Sequence, residues 1–302
     1  MSDAPPIPAD LRAWLAEIGP RWLDDTAGNV GAVTERFSAL HRAAPRPPLR
    51  ETLDLPYGPH ERHRLDVHAP RTPGPDAPAV IFVHGGGFTD GHRNRTPEIY
   101  ANVARYFARH GMVGINIGYR LAPQSIFPGG TSDIADAVGW THANAERLGI
   151  DPARIFLMGH SAGGAHVASY AYDRRFRPAD GRFIAGALLI SSRVRADNAP
   201  DNTNARRVEA YYGTDASVFD DVSGVSHVDA HAPPSFVAWS EFENKLIDMY
   251  SAELVYRLAQ VRRRTPPMLY LPGHNHTSII AHIDTAEDAL GAAMRDFIAD
   301  PR

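Results

Sequence analysis

The sequence predicts an α/β fold, a mostly parallel central sheet with helices on both faces. Three observations predict it. Short apolar runs of strand length alternate with longer stretches of helical spacing, the pattern that links parallel strands through helical crossovers. Several runs, such as 79–83 (AVIFV), are apolar throughout, as strands covered on both faces are. Finally, Gly159-His160-Ser161-Ala162-Gly163 lies between an apolar run at 155–158 and a helical stretch at 165–172. This G-x-S-x-G turn requires a strand before it, a helix behind it and a strained serine at its tip. Glycines flank the serine because a Cβ there would collide with neighbouring backbone.

In chain order, residues 1–9 are Pro-rich. Asp10 is the expected N-cap of a helix whose apolar face holds Leu11, Trp14, Leu15 and Ile18. A second helix is expected over 30–41, with Val33, Phe37 and Leu40 on one side, before Pro45, Pro47 and Pro48 end helical structure. Residues 1–62 thus read as an N-terminal helical segment, a candidate small cap over a main domain at 63–302. In that domain, 63–68 (HRLDVH) alternates polar and apolar like a half-buried strand, and 70–78 is a Pro/Gly loop. After the 79–83 strand, a helix over 96–110 points Ile99, Val103, Tyr106 and Phe107 inward and stops at Gly111. A strand at 113–117 and a helix over 133–148, ended by Gly149, lead into the G-x-S-x-G unit. A buried strand at 183–190 follows. Residues 193–232 show little periodicity apart from a short helix near 205–212. Strands at 235–239 and 268–271 then bracket a helix over 248–261. A terminal helix over 285–298 sets Leu290, Met294 and Phe297 on one face. No internal repeat and no second domain is visible.

Composition narrows the function classes. The chain has 302 residues, 43% hydrophobic and 22% charged, as an ordinary globular protein does. Net charge is −4 and the arginines are interspersed with acids, which argues against nucleic acid or an anionic membrane as partner. Lys245 is the only lysine. There is no cysteine, which excludes disulfides, thiolate nucleophiles and Cys-ligated metals. The N-terminus lacks the basic start and apolar core of a secretory signal, and no apolar run approaches the ~18 residues of a membrane helix. A soluble cytoplasmic protein is expected. The histidines show no H-E-x-x-H or clustered ligand spacing, so neither metal nor cofactor is expected.

His84-Gly85-Gly86-Gly87-Phe88 follows the 79–83 strand directly. Glycines there let the backbone approach a ligand and aim N–H groups at it, which in acyl transfer stabilises the oxyanion of the tetrahedral intermediate. The stretch has neither G-x-G-x-x-G nor a Lys-containing P-loop, so it does not read as a phosphate site. A nucleophilic serine also needs a base within hydrogen-bond reach, oriented by a carboxylate.

HGGGF at 84–88, YRLAP at 119–123, the following FPGG and Asp133, DPARI at 151–155 and GHSAGG at 159–164 resemble the hormone-sensitive-lipase-like carboxylesterases, from about His63 to His282. The resemblance implies an α/β-hydrolase fold with Ser161 as nucleophile. It places the oxyanion hole at the N–H groups of Gly86, Gly87 and Ala162, with Gly85 a lesser candidate and His84 bracing the loop. Relatives carry Pro-Gly, two variable residues and then the catalytic His, which here selects His276, with His274 as runner-up. The family's Gly-Glu-x-Asp overlays Ser240-Glu241-Phe242-Glu243, so Glu243 takes the acid's place, with Glu241 and Asp248 as alternatives. This chain departs from that pattern twice, with Glu for Asp and Ser for Gly. Asp133 is expected to be structural and His160 a packed neighbour or pocket wall. Phe88, Tyr211, Tyr212, Trp239 and Phe242 are each expected to be core, with a wall of the acyl or alcohol pocket as the alternative for some of them.

The function these residues imply is a serine carboxylesterase for short-to-medium acyl esters, with a small-molecule ester as partner and a homo-oligomer left open. Two alternatives stand beside it. Arylformamidases use the same machinery on an amide, but they tend to carry an aromatic where this chain has Gly87. A non-catalytic binding protein on a hydrolase scaffold would be expected to have lost the Ser or the His.

Overall fold

The structure, a computed structural model, describes residues 4–44, 46–72, 74, 76–179, 181 and 183–302. Pro45 and parts of the 1–9 and 70–78 stretches lie outside the described residues. The chain opens with helices α1 (Ala9–Ile18) and α2 (Thr26–Ala43), then strands β1 (Arg50–Pro56), β2 (Arg64–Ala69) and β3 (Ala77–Val83). Helix α3 (Ala101–Arg109), strand β4 (Val113–Ile117), helices α4 (Gly129–Ala143) and α5 (Ala145–Leu148) and strand β5 (Ile150–His160) follow. Next come α6 (Ala162–Tyr172), β6 (Gly186–Ile190), α7 (Ala205–Tyr212) and α8 (Phe219–Val222). The chain closes with β7 (Ser235–Phe242), α9 (Ile247–Arg262), β8 (Met268–Asn275), α10 (Ser278–Ala281) and α11 (Ala289–Ala299).

These strands form one eight-stranded sheet in the order β1-β2-β4-β3-β5-β6-β7-β8. The pairings β1–β2 and β2–β4 are antiparallel, and those from β4 to β8 are parallel. The continuous apolar runs have the expected cause, since each face of the sheet is covered. Ala79, Ile81 and Val83 of β3 pack with Ile134 of α4, Val167 of α6 and Leu254 of α9. The alternate residues Val80 and Phe82 pack with Leu15 of α1, Phe37 of α2, Phe107 of α3 and Met294 of α11. Each buried Val, Ile, Leu, Phe or Met among them contributes about 1.5–3 kcal/mol. The parallel strands bring the loops after β3, β5, β6, β7 and β8 to one edge of the sheet, where open α/β sheets place their sites.

Several boundaries differ from expectation for local reasons. Asp10 is not an N-cap; α1 starts behind Pro8 and Asp10 sits in its first turn. Helix α2 begins four residues early because the Asp25 carboxylate accepts the Gly28 N–H at 3.0 Å. Helix α3 begins only at Ala101. Upstream, the Thr96 hydroxyl accepts the N–H groups of Glu98 (3.2 Å) and Ile99 (2.9 Å), and Tyr100 takes φ 77°. The helix expected over 133–148 is two, broken at Asn144, whose side-chain amide donates to the Trp140 carbonyl at 2.7 Å. Strand β6 starts at Gly186 and α11 at Ala289. Strand β1 was not expected at all; it is an exposed, charged edge with a bulge at Asp54, φ 59°. The 1–62 segment therefore holds a strand of the sheet as well as helices.

Burial also fixes a charge state across the core. It pushes His41 down to about 4, and His84, His166 and His282 down to about 3. All four are neutral in the fold but titrate near 6.5 when unfolded. Below pH 6.5 the unfolded chain takes up protons that the folded chain refuses, so stability falls with pH until the folded values are reached. Each histidine costs about 1.4 kcal/mol per pH unit in that window. The urea midpoint should therefore drop steeply from pH 7 to pH 5, and a flat profile would contradict this assignment.

Candidate active site

Ser161 stands alone between β5 and α6 at φ 55°, ψ −122°, a conformation that costs about 1–3 kcal/mol for a residue with a Cβ. Its surroundings hold it there. The Ser161 N–H donates to the Ile190 carbonyl (3.3 Å), and its carbonyl accepts the N–H groups of Gly164 (3.0 Å) and Arg193 (2.9 Å). The flanking glycines are sterically required. A Cβ on Gly159 would lie 2.6 Å from Gly164 Cα, and one on Gly163 would lie 2.3 Å from the Val83 carbonyl oxygen.

The 84–88 loop faces this turn. Gly86 takes φ 140°, and a Cβ there would lie 1.9 Å from the Asp90 carbonyl oxygen. Among the described residues, the N–H groups of Gly86, Gly87 and Ala162 donate to no backbone or side-chain acceptor. His84 braces the loop as expected. Burial keeps its ring neutral, its Nδ1–H donates to the Gly85 carbonyl (2.7 Å), and it stacks on Tyr119 with centroids 4.4 Å apart. The Tyr119 hydroxyl in turn donates to the His84 carbonyl at 2.8 Å.

Glu243 and His276 follow β7 and β8 directly, and their side chains meet: His276 Nδ1 lies 2.5 Å from Glu243 Oε2. The other carboxylate oxygen accepts three donors, the Ser240 N–H (2.8 Å), the Ser240 hydroxyl (2.7 Å) and the Ser191 hydroxyl (2.5 Å). Burial pushes the Glu243 carboxyl up, but the imidazole and these donors outweigh it and hold it below its ordinary value. The chain's two departures from the family pattern therefore act together. The longer Glu243 reaches the hydroxyl and N–H of the serine that replaces glycine. The His276 backbone is pinned on both sides, its N–H to the Phe242 carbonyl (2.9 Å) and its carbonyl to His160 Nε2–H (2.9 Å).

The alternatives lie elsewhere. Glu241 accepts the Gly273 N–H (2.8 Å), and Asp248 sits in the first turn of α9. His274 is bound between the Ser278 hydroxyl (3.0 Å) and Glu287 (3.1 Å). Asp133 is buried against Arg120, which donates to it from backbone N–H and guanidinium, as its structural reading expects.

Ser161, His276, Gly85, Gly86 and Gly87 line one cleft of about 370 Å³. His160 forms part of its wall, and Thr26, Ala27 and Val30 of α2 line it from the N-terminal segment. None of the five aromatics expected to be core is among the lining residues. Phe88 instead stacks on Tyr211, centroids 4.9 Å apart. Sequence reasoning missed Ser191, Arg193 and Arg207. The Ser-for-Gly departure at 240 was the one available signal for the hydroxyl contacts to Glu243. Among the described residues, no group of three or more His, Asp or Glu is placed to hold a metal, and no helix is long and apolar enough to cross a membrane.

Known proteins resemble the chain along most of its length. The BD-FAE family model matches residues 65–177. Esterase LipC of Mycobacterium tuberculosis is 29% identical over 237 residues, 73% of this chain and 58% of LipC. Ethyl acetate hydrolase of Pseudomonas putida is 36% identical over 116 residues, 37% of this chain and 36% of that protein. The chain thus spans less than two thirds of the curated relatives it matches. Among solved structures, an esterase of Pyrobaculum calidifontis superposes with a TM-score of 0.72 at 21% identity, covering 97% of this chain and 98% of that one. A bacterial heroin esterase gives 0.66 at 23% identity, covering 91% and 93%. The chain thus has the fold of these esterase structures, and its motifs and its curated relatives make it similar to the hormone-sensitive-lipase-like carboxylesterases.

Proposed function

We propose that the chain is a serine carboxylesterase for short-to-medium acyl esters, with Ser161, His276 and Glu243 as its triad. The observation that carries this reading is the buried Glu243–His276 pair, 2.5 Å apart, whose His276 lines one cleft with a strained Ser161 and the Gly86–Gly87 backbone. Glu243 accepts the Nδ1–H of His276 and so leaves Nε2 unprotonated, the form that can take a proton from Ser161. The serine oxygen then bonds to the ester carbonyl carbon, and the carbonyl oxygen becomes an oxyanion facing the N–H groups of Gly86, Gly87 and Ala162. Losing one such donor costs roughly 10²–10³ in rate. The imidazolium returns its proton to the departing alcohol and leaves an acyl group on Ser161. Water, deprotonated by the same His276, releases the acid and restores the serine. No cofactor takes part.

The N-terminal helices act as a cap in this reading, because the first turns of α2 form one wall of the cleft. A p-nitrophenyl acetate, butyrate and octanoate series tests both parts. Wild type should turn over the short and medium esters. Val30→Trp, which narrows that wall, should lower the octanoate-to-butyrate ratio of kcat/KM about tenfold. An unchanged ratio would remove α2 from the substrate site, and an inert wild type would remove the esterase reading itself.

A further inference from the structure

The cleft is unevenly charged. Arg95, Arg193 and Arg207 line it, against Asp90 as the carboxylate among its lining residues, in a chain whose net charge is −4. Asp90 spends one oxygen on the Gly91 N–H at 2.7 Å. Among the described residues, none of the three arginines pairs with a carboxylate, whereas nearby Arg195 is held by both Glu253 and Asp220. Two of the three are built into the catalytic framework. The Arg207 side chain, exposed on α7, lies over the oxyanion loop, and a Cβ on Gly87 would sit 2.7 Å from its Cδ. One of its five N–H donors goes to the Gly86 carbonyl, Nη1 to oxygen at 3.1 Å. Arg193 donates its backbone N–H to the Ser161 carbonyl, and its side chain is buried, the residue being 3% exposed. Its Nη1 and Nη2 have no hydrogen-bond acceptor. It is compensated in part by Tyr250, whose ring lies 5.5 Å from the guanidinium carbon, and by the charge of Asp197, which accepts the Tyr250 hydroxyl at 2.7 Å. A cation held so incompletely behind the nucleophile costs stability, and its field reaches the cleft through a medium that screens it weakly.

We propose that this cleft takes esters that carry a carboxylate, paired by Arg207 at the oxyanion loop and drawn in by the buried charge of Arg193. The inference rests on the esterase reading and names its substrate class. It assigns a role to the 193–232 segment, whose sequence shows no motif. A purely structural Arg207, tethering Gly86, would support neutral and anionic esters alike; an anion-pairing Arg207 separates them.

Mono-p-nitrophenyl glutarate and p-nitrophenyl pentanoate share a leaving group and differ by a terminal carboxylate. Wild type should favour the glutarate in kcat/KM by about tenfold or more, and added salt should erode that preference. In Arg207→Met the preference should fall about tenfold through KM, with Arg207→Lys keeping part of it, and Arg193→Met should shift it the same way. Equal losses on both esters, or a wild-type preference for pentanoate, would overturn the inference. Calorimetric titration of Ser161→Ala with butyrate reads the anion site without turnover, and adding Arg207→Met should abolish that binding. Tighter binding of inorganic phosphate than of butyrate would overturn the carboxylate assignment. Ser161-dependent hydrolysis without anionic preference would sink this inference and leave the esterase standing. Arg207-dependent butyrate binding in a chain that hydrolyses neither ester would sink the esterase reading, and the ester substrate with it, and leave only a carboxylate-binding cleft.

Discussion

Ser161→Ala should lower kcat on p-nitrophenyl butyrate by about 10⁵–10⁶-fold, as removing the nucleophile of a serine triad does. Alanine keeps the backbone, and its Cβ already occupies the space that the Ser161 Cβ occupies at φ 55°. The N–H and carbonyl bonds to Ile190, Gly164 and Arg193 involve main chain only, so the turn should keep its shape and the thermal midpoint should move little. The oxyanion loop, the Glu243–His276 pair and the cleft also remain, and a small residual rate over water is expected from them. Activity within tenfold of wild type would place the chemistry on another residue.

Glu243→Gln should cost about 10⁴-fold in kcat, and the hydrogen bonds show why. The three donors from Ser240 and Ser191 converge on one carboxylate oxygen and would fix the amide with its oxygen towards them. The amide nitrogen would then face His276 Nδ1 and donate to it. That forces the proton onto Nε2, the nitrogen that has to accept from Ser161, so the ring would present the wrong tautomer. Glu241→Gln touches only the Gly273 N–H contact and should stay within about tenfold of wild type. A larger loss at Glu241 than at Glu243 would reverse the acid assignment.

Much of this architecture was legible in the sequence because its causes are local. Strands β3 and β5 announce themselves through unbroken apolar runs, since both faces of the sheet are covered. The serine turn shows through glycines that only steric exclusion by neighbouring backbone explains. Strand β1 was hidden because an exposed edge strand has no buried face to imprint on its sequence. The start of α3 was hidden because one threonine hydroxyl diverts two backbone N–H groups before the helix begins. At the site, the position of Glu243 followed from register with the family pattern. Its supports did not, because Ser191 lies 52 residues away and meets it only once β6 and β7 lie side by side. Arg193 and Arg207 are two among many arginines until folding places one behind the serine and the other over the glycine loop.

The central claim is that Ser161 is the acylated nucleophile, and stoichiometric labelling tests it most directly. Incubation with a p-nitrophenyl alkylphosphonate should release one p-nitrophenolate per chain, abolish esterase activity in step, and leave the alkylphosphonyl mass on the peptide containing Ser161. Ser161→Ala should release none. A label on any other residue, or full inactivation with Ser161 unmodified, would contradict the account.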